Sequence, residues 1–223
     1  LAGSMQGQGE LSGSLLAPVA SGHLRLRDGR VAGETLPLTI EQLQLDMQLV
    51  GQRMLLNGHW QSGEQGRARL QGELNWREAL TLDLQLNGSK LPLVIEPSIH
   101  LQVEPDLQIQ LRQQRVSVSG KVAIPSGQIT LHEIPPQAVR RSADARIVNA
   151  ATEPNATTGL AIDVELDVGR DRLVFRGLGL SADVHGRMRV SDNLTGQGQL
   201  QLSNGRFNAW GQRLTIRRAR LLF

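Results

Sequence analysis

A strict two-residue alternation of apolar and polar side chains runs through residues 160–223. In its first run, Ile162 and Val164 alternate with Asp163 and Glu165. A β-strand points successive side chains to opposite faces, so this spacing predicts strands with one apolar and one solvated face. Because several such runs follow one another without a helical interruption, we expect an antiparallel meander in this part of the chain.

Three stretches of the chain share a glycine-to-glycine template. They begin at Gly22, Gly120 and Gly198, and each carries a second glycine seven residues later. In the last copy that glycine belongs to the pair Asn204-Gly205, which readily takes the positive φ of a tight hairpin turn. The template therefore predicts a repeated strand-turn-strand unit.

Other glycines lie within the apolar faces of the predicted strands. Gly186, for example, stands between Val184 and Met188 at two-residue spacing. A glycine at such a position removes a side chain from the interior and eases bending, which suits a sheet that curls around a narrow space. We assign this curvature role to Gly120, Gly186 and Gly198, with simple β-bulges as the alternative.

Strand-like runs also recur before residue 160, and no stretch carries the apolar stripe of a long amphipathic helix. One short helical turn is expected near residues 138–146, and an exposed, mobile connection is expected at residues 150–159. With no helix to cover it, the sheet must cover its own apolar face. Two architectures do so: an elongated antiparallel sheet folded into a U-shaped trough, or a closed β-sandwich.

The composition indicates what lines the interior. Apolar residues make up 39% of the 223 residues but aromatic residues only 3%, so the interior is chiefly Leu, Val and Ile. The pI of about 10.4 accompanies a formal charge of only +3, so we expect no nucleic-acid partner. The chain has no cysteine and therefore no disulfide or thiol chemistry.

Catalytic and metal-binding motifs were not found in the sequence. The pair His132-Glu133 is followed by Ile-Pro-Pro rather than by the second histidine of a helical zinc site. Gly177-x-Gly179 lacks the third glycine of a dinucleotide fingerprint. We therefore expect no enzyme activity, no metal and no cofactor.

Arginines cluster near the end of the chain, at Arg213, Arg217, Arg218 and Arg220. Such a cluster is most often the solvated face of a strand. The alternative is a contact with anionic headgroups or with an acidic patch on a partner.

Short motifs in residues 104–223 resemble one known family. They include Glu104-Pro105-x-Leu107-x-Ile109, Ile124-Pro125-x-Gly127, Phe175-x-Gly177-x-Gly179 and Phe207-Asn-Ala209-Trp210-Gly211. The set resembles the C-terminal β-rich domain of the TamB family of translocation and assembly proteins. The sequence departs from the family pattern at Ala219, where glycine is expected.

The resemblance implies a protein of the Gram-negative periplasm, anchored in the inner membrane and reaching toward the outer membrane. It implies a β-rich trough, or β-taco, and kinship with AsmA-like and bridge-like lipid-transfer proteins. It also implies a TamA-like outer-membrane barrel protein as a partner, with the contact region expected outside this chain. We accordingly expect residues 1–223 to be one β-rich domain of a larger envelope-spanning protein.

Two functions fit these expectations. In the first, the trough conducts the acyl chains of phospholipids between the inner and outer membranes. In the second, an open sheet edge assists barrel assembly by pairing with unfolded outer-membrane protein strands. The groove residues predicted for either ligand share one apolar face; they are Leu107, Ile109, Val122, Ile124, Leu160, Ile162, Val164, Leu166, Leu178, Leu180, Val184, Met188, Leu200, Leu202, Phe207, Leu214 and Ile216.

Overall fold

The computed structural model describes residues 2–14, 17–33, 36–131, 159–192, 195–209 and 212–223. Within these ranges the chain forms one 13-stranded sheet and no α-helix. The strands are β1 (Ala2–Ser14), β2 (Ala17–Val31), β3 (Ile40–Gly51), β4 (Arg53–Ser62), β5 (Gly66–Asn75), β6 (Thr81–Ser89), β7 (Leu91–Ile95), β8 (Ile99–Arg112), β9 (Arg115–Leu131), β10 (Leu160–Gly177), β11 (Leu180–Ser191), β12 (Thr195–Ala209) and β13 (Gln212–Leu222).

Two predictions fall outside this description. The helical turn expected near residues 138–146 lies wholly among residues that the structure does not describe, and so does the connection expected at 150–159, apart from its last residue. None of the described segments is a helix long and apolar enough to cross a bilayer.

Neighbouring strands in the sheet are almost always neighbours in the chain. β1 to β6 form one antiparallel meander. β10 to β13 form a second one, which the alternation in residues 160–223 predicted. β6 and β7 pair with successive parts of β8, so together they act as one interrupted strand. The antiparallel prediction is wrong at one place: β9 and β10 pair in parallel. Alternation gives the faces of a strand but carries no information on the direction of its neighbour.

The sheet is open. Its two edges are β1 and β13, and these strands do not pair with each other. The substantial contacts between elements are those of hydrogen-bonded neighbours, together with a small contact between β5 and β7. A closed sandwich requires two sheets whose inner faces interdigitate, and the described residues contain one sheet only. The predicted curved, trough-like sheet is therefore confirmed, its two edges are open, and the described residues form no closed β-sandwich.

The residues predicted to form a hairpin turn lie inside a strand. Asn204-Gly205 belongs to β12, where Asn204 has a φ of 51° and the pairing with β11 shifts between Ser181 and Asp183. Asp28 occupies the same place in the first copy of the template, with a φ of 51° inside β2. The strand-turn-strand interpretation is therefore wrong. Each copy lies within one strand, because a positive φ accommodates an extra bulge residue as well as a turn.

Irregular steps of this kind accompany several of the buried apolar side chains. Leu173 follows the shift in β10, Ala182 lies opposite the bulge in β12, and Leu91 follows Lys90, which has a φ of 50°. Bulges bend strands and increase their twist, so we attribute the curvature of the sheet at these positions to the bulges. The buried apolar residues of the described chain are Ala20, Ala68, Leu91, Val164, Leu173, Ala182 and Leu202.

The three glycines predicted to provide curvature have a common geometry. Gly120, Gly186 and Gly198 have φ values of 128°, 150° and 151°, which side chains of L-residues rarely adopt. A Cβ added at any of them would collide with a carbonyl oxygen of the neighbouring strand; at Gly186 this is the oxygen of Gln199. Adjacent strands therefore approach closely at these glycines. Their role in curvature stays a prediction.

We expect Gly186→Ala to lower the free energy of unfolding by about 1–3 kcal/mol, because its Cβ has no space beside the Gln199 carbonyl. Urea unfolding followed by circular dichroism measures the loss. Gly33→Ala is the matched control: a Cβ there meets no heavy atom closer than 3.7 Å, so its effect should stay within about 0.5 kcal/mol. Equal stabilities of the two variants would contradict the close approach of β11 and β12.

Candidate functional site: the apolar face of the sheet

One face of the sheet is apolar across ten neighbouring strands. Residues that pair across strands lie on the same face, so a face can be followed from strand to strand through the register. Leu107, for example, pairs with Leu86 of β6 on one side and with Gly120 of β9 on the other. Continuing from strand to strand in this way gives a row of residues on one face. We call this side of the sheet the apolar face; its central row is Met5, Leu26, Leu45, Gly58, Leu70, Leu86, Leu107, Gly120, Val164 and Val190.

The predicted groove residues lie on this face with one exception. Ile109 and Ile162 share a row through Val118, and Leu166 pairs with Met188. The exception is Leu178, which stands in the turn between β10 and β11 with a φ of 52°. Its side chain is 52% exposed, so its assignment to a strand face is wrong. The remaining residues on the face are Leu107, Val122, Ile124, Leu160, Val164, Leu180, Val184, Leu200, Leu202, Phe207, Leu214 and Ile216.

Sequence reasoning missed the contribution of the first half of the chain. Leu84 pairs with Ile109, and Leu86 pairs with Leu107, so β6 continues the face directly. The alternation in β3 and β6 was visible in the sequence and indicated that these strands are amphipathic. Which of their residues pair with Leu107 depends on the register between strands, and alternation within one strand gives no information on that register.

An indole group on the apolar face lacks a hydrogen-bond partner. Trp60 pairs with Ala68 in β5, and its Nε1 is buried without an acceptor among the described residues. A buried donor without an acceptor costs about 1–3 kcal/mol, so such groups are uncommon in folded proteins. The indole of Trp76, by contrast, donates to the carbonyl oxygen of Pro18 at 2.9 Å.

The opposite face, which we call the polar face, carries ion pairs between neighbouring strands. Asp163 accepts hydrogen bonds of 2.5 and 2.6 Å from the guanidinium of Arg189. These bonds lower the pKa of Asp163. Glu165 lies 3.7 Å from Lys121 by their nearest N and O atoms. Exposed pairs of this kind are individually weak, but together they keep this face hydrated and matched in charge.

The carboxylate of Asp183 in β11 is bound by a residue of the bulge in β12. The side-chain amide of Asn204 donates to Asp183 Oδ2 at 2.8 Å, and Arg172 Nε donates to Asp183 Oδ1 at 3.2 Å. The hydrogen bond from Asn204 is the main cause that lowers the pKa of Asp183, and Arg172 adds to it against the opposing effect of burial. The residue predicted to make a turn thus fixes a carboxylate on the polar face.

Hollows on the polar face do not provide a competing site. One of about 570 Å³ is lined by backbone and by polar side chains such as Gln85, Gln108 and Lys121. In the part of the chain that the structure describes, no group of three or more His, Cys, Asp or Glu residues is placed to hold a metal ion. The apolar face is therefore the feature of this molecule that calls for a ligand or partner.

A single open sheet with one aliphatic face and one charged face defines the class of β-sheet trough proteins. The family described as the TamB C-terminal domain matches residues 57–223, and the chain belongs to this family. The resemblance predicted from residues 104–223 is thereby confirmed over a longer stretch.

A curated relative supports the same assignment. The chain is 24% identical over 229 residues to the translocation and assembly module subunit TamB of Haemophilus influenzae. The alignment covers 95% of this chain and 18% of the relative, so the chain spans about a fifth of that protein's length. No solved structure matches the chain.

We expect Asn204→Ala to raise the pKa of Asp183 toward its ordinary value of 3.8, because the main hydrogen bond to the carboxylate is lost. Since the folded-state pKa is lowered, the ionised group stabilises the fold above its unfolded-state pKa. That contribution disappears as the pH falls through the folded-state value. Carboxyl NMR titration measures both aspartates, with Asp163 as the internal control. An unchanged pKa of Asp183 would contradict this account of the bulge.

Proposed function

We propose that this chain serves in the envelope of a Gram-negative bacterium, in the periplasm, as part of a translocation and assembly module. Within that role, its apolar face conducts the acyl chains of phospholipids between the inner and outer membranes. The observation that carries the proposal is the central row of the apolar face, in which every member is Leu, Val, Met or Gly. The family and the name of the curated relative support the coarser role.

The row is long enough for more than one acyl chain. Its ten neighbouring strands, spaced about 4.8 Å apart, span about 43 Å. An acyl chain spans half of a hydrocarbon core that is about 30 Å thick, or roughly 15 Å. Chains could thus lie end to end along the row, which is what a conduit requires and a pocket for one molecule does not.

The chemistry of the face suits a ligand that slides. Aliphatic side chains attract acyl chains through a non-directional effect that scales with the area removed from water, so no single position binds much more tightly than the next. Residues such as Leu45, Leu107 and Leu166 are only partly buried and thus accessible from the open side of the sheet. Headgroups remain in water at the rim because burial of a charge without a partner is costly.

The edge strand β1 supports a second function. All thirteen residues of β1 are exposed, and the strand contains no Lys, Arg or Pro. Folded proteins usually protect sheet edges with such residues, because an unprotected edge is a template for another strand. An unfolded strand of an outer-membrane protein would add to β1 by main-chain hydrogen bonds, with a TamA-like barrel protein as the partner in assembly.

We expect Leu107→Arg to abolish phospholipid binding while the sheet stays folded. A cation at an apolar centre costs about 2.5–3.5 kcal/mol, and the open sheet allows the long side chain to reach water instead of unfolding the protein. Native mass spectrometry of co-purified lipid and transfer of fluorescent phospholipid between vesicles measure the loss.

Gln108→Arg is the matched control, because Gln108 is the next residue of β8 and is exposed on the polar face. It should bind and transfer lipid as the parent does. The adjacent pair Ile162 and Asp163 is less well matched, since Asp163 already pairs with Arg189. A folded Leu107→Arg variant that still transfers lipid would exclude the conduit and favour strand addition at β1.

Trp60 provides an independent reporter of an occupied apolar face. In the variant Trp76→Phe/Trp210→Phe, fluorescence comes from Trp60 alone. We expect phospholipid with brominated acyl chains to quench this fluorescence, because the indole lies on the face that the chains would occupy. The same lipid without bromine is the control. Unquenched fluorescence in protein that carries brominated lipid would place the lipid elsewhere.

A further inference from the structure

The charge of this chain is unevenly distributed. Residues 195–223 contain five arginines and no acidic residue, so this segment carries +5. The whole chain carries +3, and the difference leaves −2 on residues 1–194. A basic segment at one end of a nearly balanced chain indicates a surface with a distinct partner.

The five arginines of this segment have no carboxylate partner among the residues that the structure describes. Several arginines of β10 and β11 do have one: Arg172 pairs with Asp183, and Arg189 with Asp163. In contrast, none of the five forms an ion pair among the described residues, and all five are exposed. We call these residues the arginine edge; they are Arg206, Arg213, Arg217, Arg218 and Arg220.

Four residues of the arginine edge lie along β13, the last strand of the sheet, and Arg206 lies on the neighbouring strand β12. Arg218 pairs with Ser203 and Arg220 with Gln201, and these positions are on the polar face. Between Arg213 and Arg220 the strand advances by seven residues, or about 23 Å at about 3.3 Å per residue. Cations spread over this length fit a surface that presents several separate anions rather than one small anion in a pocket.

Exposed apolar side chains accompany these cations. Leu222 is 73% exposed and shares the polar face with Arg218 and Arg220. Phe223 is 61% exposed, and Leu214 and Leu221 are also exposed; these three lie on the apolar side of the same edge strand or just beyond its end. β13 thus presents guanidinium groups together with bulky apolar groups at an edge that no other described strand covers. Peripheral membrane segments combine the same two elements, because the cations meet lipid phosphates while the apolar groups enter the acyl boundary.

We propose that β13 and the arginine edge form a docking surface for an anionic lipid bilayer. Arginine forms paired hydrogen bonds to phosphate oxygens, which an array of headgroups offers along the whole strand. The exposed Leu222 and Phe223 favour a bilayer over an acidic protein surface, which would match only the charge. This inference goes beyond lipid conduction: the edge binds a membrane whether or not the apolar face carries lipid.

Flotation of the 223-residue chain with vesicles tests the proposal. We expect binding to vesicles that contain phosphatidylglycerol and much weaker binding to vesicles of phosphatidylcholine alone. Arg217→Gln/Arg218→Gln/Arg220→Gln should lower the partition coefficient on the order of 100-fold, at about fivefold for each arginine. Binding of the parent should also fall steeply in 1 M salt, where the Debye length is about 3 Å.

The matched control is Arg27→Gln/Arg53→Gln/Arg67→Gln. These arginines are exposed, carry no ion pair among the described residues and lie outside residues 195–223, so the net charge falls equally. The control should bind as the parent does. Equal loss of binding in both triple variants would overturn the proposal in favour of net charge alone.

Two further outcomes would also overturn it: equal binding of the parent to both kinds of vesicle, or no binding to either. The second outcome would favour an acidic protein partner. If the triple variant does not fold by circular dichroism, the single variants Arg218→Gln and Arg220→Gln replace it, each with an expected loss of about fivefold. If both single variants fold and bind phosphatidylglycerol vesicles as strongly as the parent does, the proposal is contradicted.

Discussion

The apolar face of this sheet has no second layer to cover it, and the rest of the structure depends on that constraint. An amphipathic sheet in water must bury its apolar side against something. Here the strands bend at bulges such as those at Asp28 and Asn204, so the sheet partly covers itself. Leu173 and Ala182, which lie beside register shifts, are only 2% exposed. The result is an interior that holds the fold together yet stays accessible to a ligand.

Solubility of such an open sheet depends on its polar face. Between β8 and β11 this face carries matched charges, among them Asp163 with Arg189 and Asp183 with Arg172. Matched pairs leave little net field to attract a partner, whereas the arginines of β12 and β13, which have no carboxylate partner among the described residues, produce a positive field. The distribution of charge therefore distinguishes two parts of the sheet. The polar face between β8 and β11 is hydrated and balanced in charge, whereas the edge at β12 and β13 is suited to contact another surface.

The sequence predicted the strands and their faces because both depend on local periodicity. Ile162 and Val164 are on the apolar face, and Asp163 and Glu165 on the polar face, as alternation required. Register, strand direction and the distinction between a bulge and a turn depend on neighbours that are distant in the chain. The parallel pairing of β9 with β10, the bulge at Asn204 and the row that joins Leu107 to Leu86 were therefore not predictable from alternation.

Glycines within the apolar rows leave space that neighbouring side chains fill. In the central row, Gly58 stands between Leu45 and Leu70, and Gly120 stands between Leu107 and Val164. The space that a side chain would occupy at Gly58 is taken by the Leu45 side chain, whose Cδ2 reaches to 2.5 Å from an ideal Cβ position. Leucines thus lie across the backbone of neighbouring glycines instead of projecting from the sheet. Because this arrangement fills the apolar face with aliphatic side chains, the face favours a ligand that binds by area and moves along it.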